Sequence, residues 1–501
     1  MYITINKIVS RNLFKFKFSK RKRLINMIGR EKEQKELNNL YSSNKAELVA
    51  IYGRRRIGKT YLVDETFKGR ITFRHAGLSP VDDNKKGILK AQLEHFYYSL
   101  MLHGMKKSKK PENWIEAFYM LEKFLMSIDD GNRQLIFLDE LPWLDTPRSG
   151  FMTAFEGFWN TWGCHRDNLM VVVCGSANSW ILDNLINSHG GLYNRVTYEI
   201  QLNPFTLNEC EKFYLDKNIH LSRYDITQSY MILGGVPYYM GYFQSGKSLA
   251  QNIDNLFFAN NGKLKEEYDR LFASIFNNPD IIKNIVGLLN TRNAGYTRKE
   301  IVEKLALSDG GTLSQNLNAL IASDFVIKYI PFGKGNKEHY KLVDPFCIFY
   351  LHFMNKKNRT DENFWQNNLS SQQIVSWRGY AYENICFNHI AQIKKALGIS
   401  GVITSQSAWS KRSDDTEGTQ IDLLISRNDN VVNMCEIKYY SDEFVVDKNY
   451  YHTLLHRAEL LSKEISQKFS IYNTLITTFG LHYNEYSGIF TNVITLDDLF
   501  A

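Results

Sequence analysis

The sequence predicts a multidomain α/β protein, with a parallel-sheet core in its first half and a second α/β unit at its C-terminal end. Three observations predict this. A glycine-rich turn at residues 53–60 joins a short apolar run to a helical pattern. A second apolar run, 135–138, ends in two acids, Asp139 and Glu140. From about residue 374 the rhythm becomes helix, strands, helix, strands, which restarts an α/β pattern after a mainly helical stretch.

The chain has 501 residues, enough for roughly three domains at about 150 each. With 44% hydrophobic and 23% charged residues it is an ordinary globular chain. That excludes a disordered, collagen-like or small disulfide-stapled protein. No window offers about 18 uninterrupted apolar residues, so no membrane span is expected. Lysines break the first apolar stretch (Phe14, Lys15, Phe16, Lys17, Phe18), so a secretory signal is not expected. Cys164, Cys174, Cys210, Cys347, Cys386 and Cys435 form no C-x-x-C pair and no zinc spacing. They read as buried free thiols of a cytoplasmic protein.

The net charge of +8 comes from 61 basic and 53 acidic residues. Residues 1–26 hold eight basic residues and no acid, so the rest of the chain balances at 53 against 53. The basic segment is an arm able to grip phosphates or an anionic surface, a solvated tail, or sequence ahead of a start at Met27.

Residues 30–42 space Leu37, Leu40 and Tyr41 as a helix. The run 47–53 reads as a buried strand, and Gly53-Arg54-Arg55-Arg56-Ile57-Gly58-Lys59-Thr60 follows, matching G-x-x-x-x-G-K-[ST] at every position. Gly53 and Gly58 let consecutive backbone N–H groups face phosphates, and the helix that follows adds a partial positive charge at its N-terminus. Lys59 reaches the β- and γ-phosphates, and the Thr60 hydroxyl is suited to Mg²⁺. This makes the core a P-loop NTPase with ATP and Mg²⁺ as expected cofactors. Arg54, Arg55 and Arg56 fill variable positions and carry no assigned phosphate contact.

Some 80 residues on, Asp139 is the expected Mg²⁺ partner and Glu140 the group that polarises the attacking water. A third strand, 169–175, ends at Ser176-Ala177-Asn178. Asn178 and Ser176 are candidate γ-phosphate sensors, with helix capping the alternative for Ser176. Arg195 precedes the next strand; it is either an arginine finger, in cis or on a neighbouring copy, or a surface residue.

Together, the opening at 29–34, GRRRIGKT, LIFLDE, CGSANSW, LYNRVTYEIQLNPF and GGVPYYM resemble the archaeal-type ATPases of the AAA+/STAND group. The resemblance covers about 27–350. It implies a five-strand core over 27–205, a helical lid over 206–278 and a winged helix over 279–350. It also implies that the turn Gly235-Val236-Pro237 lies near the nucleotide, and that a nuclease-like domain often follows.

The residues of 279–350 support a winged helix themselves. A helix at 281–290 is followed by a second, opened by the capping box Thr297…Glu300, and a third from Gly310-Gly311-Thr312. A hairpin with a glycine-lysine tip then follows. Ser314, Gln315, Asn316 and Asn318 are candidate base readers, and Arg298, Lys299, Lys334 and Lys337 candidate phosphate contacts. Protein docking is the alternative use of this unit.

In 351–501, a long helix over 374–398 carries Glu383, a strand at 418–427 carries Asp422, and a strand at 431–440 carries Glu436 and Lys438. Alternation puts Gln420 with Asp422 on one face and Glu436 with Lys438 on one face. This order resembles the PD-(D/E)XK nucleases, with Ile421-Asp422 where the family has Pro-Asp, and implies a restriction-endonuclease-like fold. Glu383, Asp422 and Glu436 are the expected metal ligands, and Lys438 the group that orients water or neutralises phosphate.

The expectation is a cytoplasmic ATPase whose nucleotide state controls a metal-dependent nuclease-like unit acting on DNA, with further copies of the chain as possible partners. The alternative is a nucleotide-switched signalling or scaffold protein with an inactive nuclease fold.

Overall fold

The computed structural model describes residues 27–79, 87–176, 178–187, 190–276, 278–332, 335, 337–355, 361–411 and 419–501. The basic arm 1–26 and Lys334 lie outside the described residues.

The first half is a five-stranded parallel sheet of β1 (Glu47–Tyr52), β2 (Phe73–Ala76), β3 (Gln134–Asp139), β4 (Leu169–Gly175) and β5 (Tyr198–Gln201), in the order β2-β3-β4-β1-β5. Strands β1, β3 and β4 are buried along their whole length, as continuous apolar runs in a sheet covered on both faces must be. One face is covered by α1 (Glu31–Tyr41) and α2 (Lys59–Thr66), the other by α3 (Ile88–Leu102), α4 (Trp114–Ser127) and α5 (Phe151–Thr161). Gly53, at the C-terminal end of β1, must be glycine: φ is 145° and a Cβ would collide with the Leu202 carbonyl.

Helices α6 (Leu207–Asp216), α7 (Arg223–Leu233) and α8 (Glu267–Ile275) lead into a three-helix unit of α9 (Pro279–Leu289), α10 (Arg298–Leu305) and α11 (Gly311–Ala322). The capping box predicted for α10 is present: Thr297 Oγ1 accepts from Glu300 N, and Glu300 Oε2 accepts from Thr297 N at 2.7 Å. Strand β6 (Tyr296–Thr297), between α9 and α10, joins β7 (Val326–Tyr329) and β8 (His339–Leu342) in a three-stranded antiparallel sheet. Asp344 then caps α12 (Pro345–Phe353), accepting from Cys347 N at 2.7 Å.

The C-terminal sheet has the order β13-β12-β11-β10-β9. Its strands are β9 (Thr404–Lys411), β10 (Thr419–Arg427), β11 (Val431–Lys438), β12 (Ser470–Thr477) and β13 (Asn492–Ile494). The first three are antiparallel, and β12 and β13 run parallel to β11. With α13 (Gln372–Asn388), α14 (Ile390–Ala396) and α15 (Lys448–Ser462), the chain order of the main elements is α-β-β-β-α-β. The predicted single helix over 374–398 is interrupted at His389, whose buried ring sits 2.9 Å from Ile385 O and accepts from Leu207 N.

The boundaries expected at 278 and 350 do not divide the packing. One apolar core runs from Phe205 to Phe500 through all the units after the parallel sheet. Helix α12 crosses residue 350, and its Phe346 and Phe349 pack on Tyr239 and Phe257 while Phe349 and Phe353 pack on Trp365 and Trp377.

Candidate functional site

At the C-terminal edge of the parallel sheet the predicted nucleotide residues meet. Lys59, buried at the start of α2, donates to Gly53 O at 2.8 Å and Arg54 O at 3.0 Å. Burial lowers its pKa, and Glu140 is the carboxylate that most opposes this. Gly58 adopts φ 95°, with no atom near the position a Cβ would take. Thr60 Oγ1 donates to Asp139 Oδ2 at 2.9 Å. A lysine satisfied only by its own loop, an open glycine turn and a hydroxyl–carboxylate pair of hard oxygens suit a nucleotide phosphate and Mg²⁺.

Glu140 stands just past β3 with φ 46° and accepts from Ser176 Oγ at 2.9 Å and Ser176 N at 3.1 Å. Ser176 thus holds the candidate base. Asn178 is fully buried; its Oδ1 accepts from Gly53 N at 2.8 Å, and its Nδ2 donates to Ala322 O of α11 at 2.7 Å. It therefore joins the phosphate loop to the three-helix unit.

Arg195 lies elsewhere. The turn containing it precedes β5, and Thr197 N bonds Leu48 O near the N-terminal edge of the sheet. The phosphate loop is at the opposite edge, and β1 alone spans roughly 20 Å. A finger acting in cis does not fit this placement; the side chain is exposed, as both a finger toward a neighbouring copy and a surface residue would be.

The three loop arginines, left without a role by sequence reasoning, tie the loop to its neighbours. Arg54 forms a buried ion pair with Asp344 and lies over the Phe325 ring. Arg56 pairs with buried Glu267 of α8 and stacks on Tyr238 and Tyr239. Arg55 lies 6.0 Å from the Trp143 ring centroid. Arg74 of β2 was also missed; it pairs with Asp64 at 2.6 Å and lies 3.9 Å from Asp139. No motif marks Asp344, Glu267 or Arg74, because each partner comes from a distant element.

The C-terminal candidates are near one another but do not form one ligand set. Glu436 is buried, and its carboxylate is taken by Lys438 at 2.8 Å, Arg457 at 2.7 Å and the Tyr450 hydroxyl. Burial alone would raise its pKa; Lys438 and Arg457 more than offset that and hold it low. Asp422 sits where the β9–β10 register shifts. Burial first, then the Glu436 charge, push its pKa up to about 6. Gln420 donates to it at 3.2 Å, the shared face that alternation predicts.

Glu383 accepts from Asn293 of the three-helix unit at 2.6 Å. Burial, then the Asp422 charge, push its pKa up to about 8. Among the described residues no three His, Cys, Asp or Glu side chains converge as a metal set. The expected trio Glu383, Asp422 and Glu436 is thus split, because Glu436 is consumed by two cations and Glu383 by the neighbouring unit. Arg457, Tyr450 and Asn293 are the site residues the sequence did not reveal.

The expected DNA-contacting residues are partly engaged. Arg298 pairs with Asp309 at 2.7 Å, and Lys299 with Glu303 at 3.8 Å. Gln315 and Asn318 of α11 and Lys337 are exposed. Phe332, beyond β7, donates its N–H to Ala408 O of β9, so the hairpin rests on the C-terminal sheet.

The family comparison bears on the first half. Residues 27–243 match the family described as an ATPase domain predominantly from Archaea. An uncharacterized protein of Methanocaldococcus jannaschii is 22% identical over 459 residues, covering 88% of this chain and 94% of that protein. Among solved structures, a Walker-type ATPase of Pyrococcus abyssi matches with TM-score 0.44 and 16% identity, over 65% of this chain and 96% of that one. The ORC2 protein of Aeropyrum pernix matches with TM-score 0.38 and 13% identity, over 68% and 95%. This chain therefore carries an archaeal-type ATPase domain in its N-terminal half. No helix among the described residues is long and apolar enough to cross a membrane.

Proposed function

We propose that this protein is an ATP-hydrolysing switch whose nucleotide state controls a metal-dependent, nuclease-like C-terminal unit acting on DNA. The observation that carries the reading is the set of direct bonds from the phosphate loop to the units beyond it. Gly53 is joined through Asn178 to Ala322, Arg54 to Asp344, and Arg56 to Glu267. A loop that only hydrolysed ATP would not need three attachments to helices outside its sheet.

In this reading Gly53, Gly58, Lys59 and Thr60 hold the phosphates, and Thr60 with Asp139 holds Mg²⁺, which supplies positive charge where negative charge develops. Glu140 takes the water's proton once Ser176 releases it. Asn178 senses the phosphate end through Gly53. Arg195 serves a neighbouring copy.

We read the 279–344 elements as a winged helix and the α-β-β-β-α-β unit as a restriction-endonuclease-like domain. The donors to a divalent ion would be the hard carboxylate oxygens of Glu383 and Asp422, which line one cavity with Asn384, whose Oδ1 is buried without a hydrogen-bond partner. Glu436, held by Lys438 and Arg457, would join these donors only by exchanging a cation partner, and Lys438 would then neutralise phosphate.

One observation favours the scaffold alternative: Glu436 is already neutralised by Lys438 and Arg457. The deciding experiment incubates the full chain with Mg²⁺ and single- or double-stranded DNA and RNA, with and without ATP. Cleavage that responds to nucleotide supports the proposal. ATP turnover with no cleavage of any substrate supports the scaffold.

A further inference from the structure

The end of β4 serves the nucleotide site at every second residue. Ser176 donates to Glu140, and Asn178 takes the Gly53 N–H. Two residues before Ser176, Cys174 does the same for Asp139: its Sγ donates to Asp139 Oδ1 at 2.7 Å. Both side chains are buried, Cys174 completely. Strand order brings them together. Strand β4 lies between β3 and β1, and the pairs Leu138–Val173 and Ile51–Cys174 set Cys174 level with the ends of both neighbours.

Asp139 needs such a partner. The torsion that turns a carboxylate is soft and roughly two-fold, so packing of the stem does not decide which way the oxygens face. Oδ1 accepts from the Cys174 thiol and, at 3.0 Å, from the Glu140 N–H. Oδ2 faces α2, where Thr60 donates to it at 2.9 Å and the Arg74 guanidinium stands 3.9 Å away. A buried strand cysteine ordinarily serves as a small apolar filler. A filler at position 174 would leave Oδ1, among the described residues, with the Glu140 N–H.

We propose that Cys174 is a positioning residue of the ATPase, whose thiol holds Asp139 Oδ1 so that Oδ2 is presented to the metal beside Thr60. This rests on the reading of Thr60 and Asp139 as the Mg²⁺ holders. The thiol acts through Asp139 and touches neither nucleotide nor metal. Because the Glu140 N–H shares Oδ1, one strand end sets both acids in register, Asp139 through Cys174 and Glu140 through Ser176. Partners that orient a metal ligand are typically worth 10- to 100-fold in metal affinity. A thiol is a weak donor, which places Cys174 at the lower end, about ten-fold.

The test is titration of the full chain with a fluorescent ATP analogue, in EDTA and in Mg²⁺. The ratio of the two affinities is the metal-dependent gain of each form, with its own metal-free binding as reference. The gain is expected to be about ten-fold smaller in Cys174→Ala than in the wild type. It should return in Cys174→Ser, whose hydroxyl donates to the same oxygen, and be lost in Asp139→Ala. Lost packing alone would lower the melting temperature of Cys174→Ala and leave the ratio unmoved. Cys174→Val, which fills the space without a donor, should show the same reduced gain and replaces Cys174→Ala if truncation prevents folding. If Cys174→Ala and Cys174→Val keep the wild-type gain while Asp139→Ala loses it, Cys174 only fills space, and the reading of Asp139 stands. A gain that stays reduced in Cys174→Ser would also overturn the proposal. If Asp139→Ala keeps the wild-type gain, or the wild type shows none, Asp139 is not the metal partner, and the proposal fails with that reading.

Discussion

Arg54 and Asp344, 290 residues apart in the chain, form an ion pair that is almost wholly buried between the phosphate loop and the first turn of α12. Removing one partner of such a pair strands a charge, which costs about 3–5 kcal/mol. Asp344→Ala is therefore expected to lower the urea midpoint strongly. The double variant Arg54→Met, Asp344→Ala should recover much of the loss. Losses that simply add in a double-mutant cycle would show that the pair does not act as a unit.

At the loop itself, Lys59→Ala should abolish tight ATP binding, since the phosphates lose their main cation. Glu140→Gln should bind ATP and hydrolyse it slowly, because an amide cannot accept the water's proton. Titration with a fluorescent nucleotide and a phosphate-release assay separate the two effects. Turnover at the wild-type rate in Glu140→Gln would remove Glu140 as the base.

In the proposed function Arg195 acts across an interface with a neighbouring copy. Arg195→Ala should reduce turnover by up to ~10³-fold while sparing ATP binding. Wild-type specific activity should rise with protein concentration. Concentration-independent turnover with an unaffected variant would make Arg195 a surface residue.

Asp324 adjoins Arg54, and burial pushes its pKa from 3.8 up to about 6, with Arg54 and Gln201 only partly offsetting. The folded chain thus holds this proton more tightly than the unfolded one. The resulting stability is fully present below about 3.8 and is lost as pH rises through about 6. Asp324→Asn, which tolerates the φ of 60°, should match the wild type near pH 4 and exceed it at pH 7 and above. The gain at neutral pH is on the order of 2 kcal/mol. Urea unfolding at several pH values measures it; a difference that does not vary with pH would contradict the assignment.

What could be read in the sequence was whatever local chemistry marks. Glycine spacing, apolar runs and a capping box located the phosphate loop, the strands ending at Asp139 and Gly175, and helix α10. Order along the chain placed Glu383, Asp422, Glu436 and Lys438 in one unit. Partners that arrive through the fold left no signal: Asp344 reads as an ordinary helix cap, and Arg457 as a charge on a polar helix. The expected carboxylate trio failed to assemble for the same reason, because Arg457 on Glu436 comes from α15 and Asn293 on Glu383 from the three-helix unit. The expected domain boundaries missed the shared core, since burial on both sides of residue 350 has no periodicity that separates neighbours.

In the proposed function one chain hydrolyses ATP at one end and cleaves a phosphodiester at the other. The most direct measurement is Mg²⁺-dependent cleavage and ATP turnover recorded in the same samples of wild type and Asp422→Ala. Cleavage is expected in the wild type and lost in Asp422→Ala, with equal ATP turnover in both. Cleavage that survives in Asp422→Ala, or is absent from the wild type at every nucleotide state, would contradict it.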